Sequence, residues 1–411
     1  MIRDNYLDIG KLLKSPKVLR LFKVVARHGG VVRFVGGAVR DALKGIEGSD
    51  LDFATDLSPD ELVEACAEEG LKTVPIGIKY GTVGVMVDDS LLVEVTSLRK
   101  DIKTDGRHAE VEFTDNWEED ASRRDLTINA VYADEKGNVF DYYNGIEDLE
   151  KGVVRFIGSA NQRIKEDYLR ILRFFRFYSM FGVGEPDKKA LAACAANSEG
   201  LKNLPMERIR EEFFKLLLTK NAAATIKIMQ DNGVLSYVLP DAEYTDNLAF
   251  IKNIVNGRAL ENKAMLYFFV LYRPDTALAE NLAQRMRFSR KEKQKFISWA
   301  SAKVTLSELF DEKKRLRLAY EYDKEFCLEE LLLLVAENKE PLPNIWDLYD
   351  AVNAMVVPEF PIRGKDLIEH GVKDTMVGKI MKELEQTWIE SDFSLSKEEM
   401  LSPQYGKVSG E

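Results

Sequence analysis

The chain has 411 residues, 45% hydrophobic and 31% charged, a globular composition too long for one compact core, so two or three domains are expected. No run of about 18 apolar residues occurs, which excludes a transmembrane helix, and the opening MIRDNYLDIGKLLKSPKV lacks an apolar stretch and a cleavage site, which argues for the cytoplasm over export. The net charge of −11 speaks against a uniformly basic protein, but residues 151–220 carry 14 Lys/Arg against 8 Asp/Glu, a local +6 that suits phosphate.

In chain order, VVRFVGG (31–37) is a β-branched run ending in a glycine pair, and AVRDALKG (38–45) after it reads as a helix. LDFATD (51–56) reads as a second strand. SPDELVEACAEEG (58–70) predicts a helix with Ser58 as its N-cap, Pro59 in its first turn and Gly70 as its stop. TVGVMVD (82–88) and LLVEVTSL (91–98) flank a short Asp-Ser turn and predict a hairpin. Residues 99–120 are polar and weakly periodic, which predicts a mobile loop. Beyond about residue 158 the pattern is helical. RIKEDYLRILRFFRFYSMF (163–181) predicts one long helix and PMERIREEFFKLLLT (205–219) another, with more near 306–322 and 327–340. No internal repeat is present, and 401–411 predicts a frayed tail.

The chemistry concentrates in Gly36-Gly37-Ala38-Val39-Arg40-Asp41, followed by Asp50-Leu51-Asp52. Two glycines between a strand and a helix let backbone N–H groups approach a phosphate at a helix N-terminus, with Arg40 in the first turn to add a charged fork. Asp50 and Asp52, two apart on a strand, would point to one face. Two carboxylates on one face can hold a pair of Mg²⁺ ions for in-line phosphoryl or nucleotidyl transfer. Glu94, on one strand face with Leu92 and Thr96, is a candidate third carboxylate. Three scattered cysteines (Cys66, Cys194, Cys327) and three unclustered histidines leave carboxylates as the metal ligands, which favours a hard ion. Taken singly, a glycine pair is usually just a turn and an Asp-x-Asp a solvated strand end. Their conjunction in register with strand and helix signals reverses that.

These residues resemble the class II tRNA nucleotidyltransferase (CCA-adding) and bacterial poly(A) polymerase family. GGAVRD and DLDFAT resemble its first motif, Arg123-Arg124-Asp125-Leu126-Thr127-Ile128-Asn129-Ala130 its RRDFTINA motif, and Asp141-Tyr142-Tyr143-Asn144-Gly145 the segment after it. Glu166-Asp167-Tyr168-Leu169-Arg170-Ile171-Leu172-Arg173 resembles the EDxxRxLR motif, and Glu207-Arg208-Ile209-Arg210-Glu211-Glu212 the next helix. The resemblance implies an α+β fold: a polymerase-β-like head with a mixed sheet over 1–150, a helical neck over 151–225, and a helical body and tail over 226–411. It implies transfer of C and A from CTP and ATP to the tRNA 3′ end, with Mg²⁺ as cofactor and no membrane or obligate protein partner. Gly36, Gly37 and Arg40 would hold the triphosphate, Asp50 and Asp52 the metal, Arg124 the nucleotide and Asp125 the ribose, with Asn129 beside them.

Asp167 and Arg170, three apart on the expected helix, would be surface neighbours, with Arg173 and Arg176 continuing the ladder. A carboxylate only accepts hydrogen bonds and a guanidinium only donates them. Cytosine and adenine each offer an amino donor beside a ring-nitrogen acceptor; guanine and uracil present the reverse. One Asp/Arg pair therefore fits C and A and rejects G and U, which is how the family is understood to choose. The bland alternative is a solvated charge ladder. Poly(A) polymerase shares these motifs, and CC-only or A-only enzymes are not separated by them. Lys79-Tyr80-Gly81-Thr82 resembles a CCA-enzyme strand with Tyr80 in place of its usual His, and Gly364-Lys365-Asp366-Leu367-Ile368 with Gly371 resembles a CCA-enzyme tail without its usual Gly-Pro. A catalytically dead RNA binder would gain nothing from acids clustered near phosphate. The resemblance also implies that 99–120 orders during the switch from C to A.

Overall fold

The computed structural model describes residues 6–8, 10, 16–47, 50–105, 108–239, 242, 245–255, 258, 260, 262–339 and 342–402. It divides into two units, Met1–Thr245 and Asp246–Glu411. The first carries α1 (Val18–Arg27), β1 (Val32–Val35), α2 (Gly37–Leu43), β2 (Asp52–Thr55), α3 (Pro59–Glu68), β3 (Lys72–Gly77), β4 (Thr82–Asp88) and β5 (Leu91–Ser97). There follow β6 (Arg99–Asp105), β7 (His108–Phe113), α4 (Trp117–Ser122), β8 (Val131–Ala133), β9 (Val139–Asp141) and α5 (Gly145–Lys151). The unit closes with α6 (Ala160–Glu166), α7 (Leu169–Phe181), α8 (Lys188–Asn197), α9 (Met206–Leu218), α10 (Ala222–Asp231) and α11 (Leu235–Val238).

Seven strands form one mixed sheet in the order β3-β4-β5-β2-β1-β8-β9, and β2 with β5 is its parallel pair. Strand alternation sends successive side chains to opposite faces. Val32, Phe34 and Phe53 therefore pack with α1, α2 and α3, while Val35, Ala54 and Tyr132 pack with Ala121 of α4 on the other face. Asp52 shares the face of Ala54, so the sheet side without α1–α3 carries the first acid. The α3 boundaries are those the sequence dictates: Ser58 accepts from the Glu61 N–H in a capping box, Pro59 opens the helix, and Gly70 follows its end at φ +70°.

Three expectations require correction. Residues 99–120 are not a loop: β6 and β7 pair as a separate two-stranded sheet, and α4 follows with Asn116 capping it. Strand pairing needs backbone partners more than an apolar stripe, so the periodicity of this polar segment was silent. Residues 163–181 are not one helix. The chain breaks at Asp167, whose extended φ −156° and ψ 109° end α6 and set up α7. Asp50 does not lie on the strand with Asp52, because β2 begins at Asp52. The expected frayed tail falls largely at 403–411, outside the described residues.

α7 buries Ile171, Leu172, Phe174 and Phe175, and α9 buries Ile209, Phe213, Leu216 and Leu217; these two helices pack together. In the second unit the described elements are helical. One of its cores is aromatic, with Phe268, Phe269, Phe288, Phe296 and Trp299 in mutual edge contacts. Another gathers Leu367, Ile380, Leu384, Trp388 and Met400.

Candidate active site

β1 ends at Val35, and Gly36 takes φ +64° and ψ −121°, a turn that an L side chain resists; a Cβ there would also stand 3.4 Å from the Arg124 guanidinium. The turn faces a cleft of about 660 Å³. Gly36, Gly37, Arg40, Asp50 and Asp52 line it from the sheet side, Arg124, Asp125 and Asn129 from the segment after α4, and Asp167, Arg170, Arg173 and Arg176 from the helical side. Of the expected site residues, Glu94 alone is not on the wall. It stands in register with Asp52 on the neighbouring parallel strand, so the two acids share a sheet face.

The walls carry seven cationic and five anionic side chains, an excess suited to a polyphosphate. Partial desolvation pushes the Asp52 carboxyl up, and the carboxylates of Glu94 and Asp50 add to this against Arg124. Among the described residues no group of three or more His, Cys, Asp and Glu is arranged to hold a metal. Asp50 and Asp52 nevertheless fit a small hard cation, which is commonly held by one or two carboxylates, substrate phosphates and water. A cation would also relieve the mutual repulsion of these acids.

The floor of the cleft is a continuous polar chain. Arg40 donates to Asp41 at 2.8 Å and to the Asn129 side-chain oxygen Oδ1, and Asn129 Nδ2 donates to Asp125 at 3.1 Å. Asp125 also accepts from Arg173 at 2.7 Å, and Glu212 on α9 accepts from Arg176 at 2.7 Å, with Arg173 3.7 Å away. Phe177 lies under the guanidinium groups of Arg40, Arg173 and Arg176, 4.3–5.4 Å from ring centre to charge. Burial pushes Asp125 up, but Arg173 and Asn129 outweigh it and hold its carboxyl well below the usual range. Dipoles and charges fixed beforehand need little rearrangement when a charged ligand arrives.

Asp120, on α4, is 1% exposed and anchors the double arginine. It accepts from Arg123 at 2.8 Å, from Arg124 at 3.3 Å and from the Tyr132 hydroxyl at 2.8 Å. Burial pushes Asp120 up, yet Arg124, Arg123 and Tyr132 together hold it down at about 2. Sequence reasoning missed this anchor, although the i, i+3 and i, i+4 spacing from Asp120 to Arg123 and Arg124 is its signal. It also missed Lys215 and Phe177 on the cleft wall, and Glu212 behind it.

Asp167 and Arg170 both line the cleft but do not pair with each other. Asp167 accepts from Arg208 of α9 at 2.7 Å, and Arg170 pairs with Glu166. The chain breaks at Asp167, and each of the two side chains is drawn to a partner of its own.

Residues 32–155 match the family model for the poly A polymerase head domain, and 185–245 match the probable RNA and SrmB-binding site of polymerase A. A Danio rerio protein named CCA tRNA nucleotidyltransferase 1, mitochondrial, is 36% identical over 90% of this chain and 86% of its own length. The chain belongs to the CCA-adding tRNA nucleotidyltransferase family. A CCA-adding enzyme of Ligilactobacillus salivarius is 30% identical over 94% of both chains. The solved Bacillus stearothermophilus CCA-adding enzyme in complex with CTP superposes with a TM-score of 0.77 at 23% identity, covering 94% of this chain and 96% of that one, which establishes the fold. The protein thus has the polymerase-β-like head of the CCA-adding family and is a nucleotidyltransferase, and the family as a whole depends on a divalent metal. No described helix is long and apolar enough to cross a membrane.

Proposed function

We propose that this protein adds C and A residues from CTP and ATP to the 3′ end of tRNA, building and repairing CCA with Mg²⁺ held by Asp50 and Asp52. The observation that carries the reading is the single cleft in which two metal-type carboxylates, a cationic wall and the separated Asp167 and Arg170 meet. Bound Mg²⁺ supplies activation of the RNA 3′-hydroxyl and neutralises charge on the departing pyrophosphate. The remaining work belongs to the chain. The Gly36–Gly37 turn lets backbone approach the triphosphate, Arg40 and Arg124 draw its charge, and Asp125 is fixed to meet the ribose hydroxyls. Asp167 accepts the base amino proton while Arg170 donates to the ring nitrogen. Glu94 sets the charge beside Asp52. The cytoplasm is the compartment we propose, since all three cysteines are free and buried, as reduced thiols are.

The test is to offer tRNA lacking CCA, ending in C, or ending in CC, with single labelled nucleotides, and to sequence the products. Ordered addition of C, C and A supports the reading, whereas A-tailing of unrelated RNA without use of CTP would make the protein a poly(A) polymerase. Asp52→Ala should lower transfer by about 10³-fold or more with tRNA binding retained. Full activity of that variant would remove Asp52 from the chemistry.

A further inference from the structure

We infer that Arg208, on α9, is a specificity-determining positioning residue that turns Asp167 so that one acceptor direction faces the incoming base. The inference rests on the reading that Asp167 and Arg170 choose the nucleotide.

An ionised carboxylate offers about four acceptor directions. Oδ1 of Asp167 takes the Leu169 backbone N–H at 3.1 Å and Nη1 of Arg208 at 3.4 Å, and Oδ2 takes Nη2 of Arg208 at 2.7 Å. Among the described residues this leaves one direction, on Oδ2. A base with an amino group at that edge can fill it; a carbonyl oxygen placed there would meet a second acceptor.

Arg208 also solves a problem that the motif creates. A carboxylate and a guanidinium three residues apart tend to close on one another, and a closed pair has used the groups a base must find. Here each is drawn to its own partner. Arg208 reaches Asp167 from 41 residues away, while Arg170 gives its Nη1 to Glu166 and to the Arg163 carbonyl, the latter at 3.0 Å. Among the described residues, its Nε and Nη2 are then left to donate. The same helix repeats the device one turn on, where Glu212 holds Arg176 and lies near Arg173. α9 thus presents a cation and an anion, four residues apart on one face, to the oppositely charged groups at and beyond the start of α7. The planar fork of arginine, with one nitrogen to each oxygen, fixes how a carboxylate is turned.

The experiment is kcat/KM for CTP, ATP, UTP and GTP on Arg208→Gln and Arg208→Lys, with melting temperature and tRNA binding measured alongside. In Arg208→Gln, Asp167 is released to close on Arg170, so CTP and ATP should fall about tenfold or more. UTP and GTP should change far less, and the preference for C and A should narrow by a similar factor. Arg208→Lys keeps the charge but loses the fork and should fall between. A merely structural ion pair would lower all four nucleotides together. A folded Arg208→Gln protein with wild-type ratios overturns the inference. If that variant does not fold, Arg208→Lys decides in the same way, since an ammonium keeps the charge but lacks the planar two-nitrogen fork that fixes how the carboxylate is turned: narrowed ratios support the inference and wild-type ratios overturn it. Asp167→Ala separates the two levels. Unchanged ratios there would remove base selection from Asp167 altogether, whereas collapsed ratios beside an unaffected Arg208→Gln would leave selection in place and remove Arg208 from it.

Discussion

Asp125 on the cleft wall and Asp120, which anchors two of the wall's arginines, are 8% and 1% exposed, and Glu329 and Glu330 on the helix Lys324–Asn338 of the second unit are 6% and 5% exposed. All four pay for desolvation, but the outcome differs in sign. Asp120 is held down at about 2 by Arg124 and Arg123, and Asp125 is held well below the usual carboxylate range beside Arg173. Burial pushes Glu329 up to about 7, despite hydrogen bonds from Lys295 at 2.9 Å and Trp299 at 3.1 Å. It pushes Glu330 up to about 8, and one Glu330 oxygen has no hydrogen-bond partner among the described residues. Asp120 and Asp125 are met by guanidinium groups, which do not release a proton, so charge persists there in both partners. The second unit lets an acid keep its proton. The fixed charges suit the triphosphate proposed for the cleft; an interior that need only pack discards them.

The largest test of this contrast is Asp120→Asn. It leaves two partly buried arginines facing a neutral amide, and they cannot discharge themselves. Folding stability should fall by about 3–5 kcal/mol, read by urea unfolding, with a higher KM for CTP and ATP because Arg124 is no longer anchored. A loss below about 1 kcal/mol, as for an exposed pair, would erase the distinction between the two regions.

A second test uses pH. Glu330 keeps its proton in the folded state up to about 8, whereas an unfolded glutamate releases it near 4.3. Its contribution is therefore complete below about pH 4 and is lost as pH rises toward 8. Asp120 runs the other way: its contribution is present above about pH 4 and is lost as pH falls through about 2. Hydrogen exchange should show the second unit weakening between pH 6 and about 8.5 while the cleft region stays level, and the cleft region weakening below about pH 4. Glu330→Gln should remove the part of the first slope above about pH 7, leaving the part Glu329 contributes below it, and stabilise the second unit by roughly 1–3 kcal/mol at pH 8.5, with little effect at pH 5. An unchanged slope in that variant would assign the effect to another group.

The smallest expected effect sharpens the reason for the difference. Lys295→Met takes the cation from Glu329, whose carboxyl can answer by keeping its proton. The loss at pH 6 should be only about 1 kcal/mol, far below that of Asp120→Asn, and should grow as pH rises past 7. A loss at pH 6 equal to that of Asp120→Asn would show that Glu329 is held as an ion after all.

Local sequence determined much of this protein. A β-branched run, two glycines and a helix pattern specify the turn at Gly36, and Ser58, Pro59 and Gly70 set the limits of α3, because caps and positive φ are properties of a few adjacent residues. The order of motifs led to the family, and twelve of the thirteen expected site residues line one cleft. Partner choice was not legible. The spacing of Asp167 and Arg170 suggested a pair, but a helix break joins them instead to Arg208 and Glu166. The polar run at 99–120 suggested a loop, but β6 and β7 satisfy each other's backbone groups. Spacing marked Asp120 as a neighbour of Arg123 and Arg124, but not its burial beside Tyr132, which β8 supplies from next to the sheet edge. Spacing along a chain fixes which groups can be neighbours within one element. Which of them meet, and which stay charged, is decided by what the fold brings from tens of residues away and by how much water it removes.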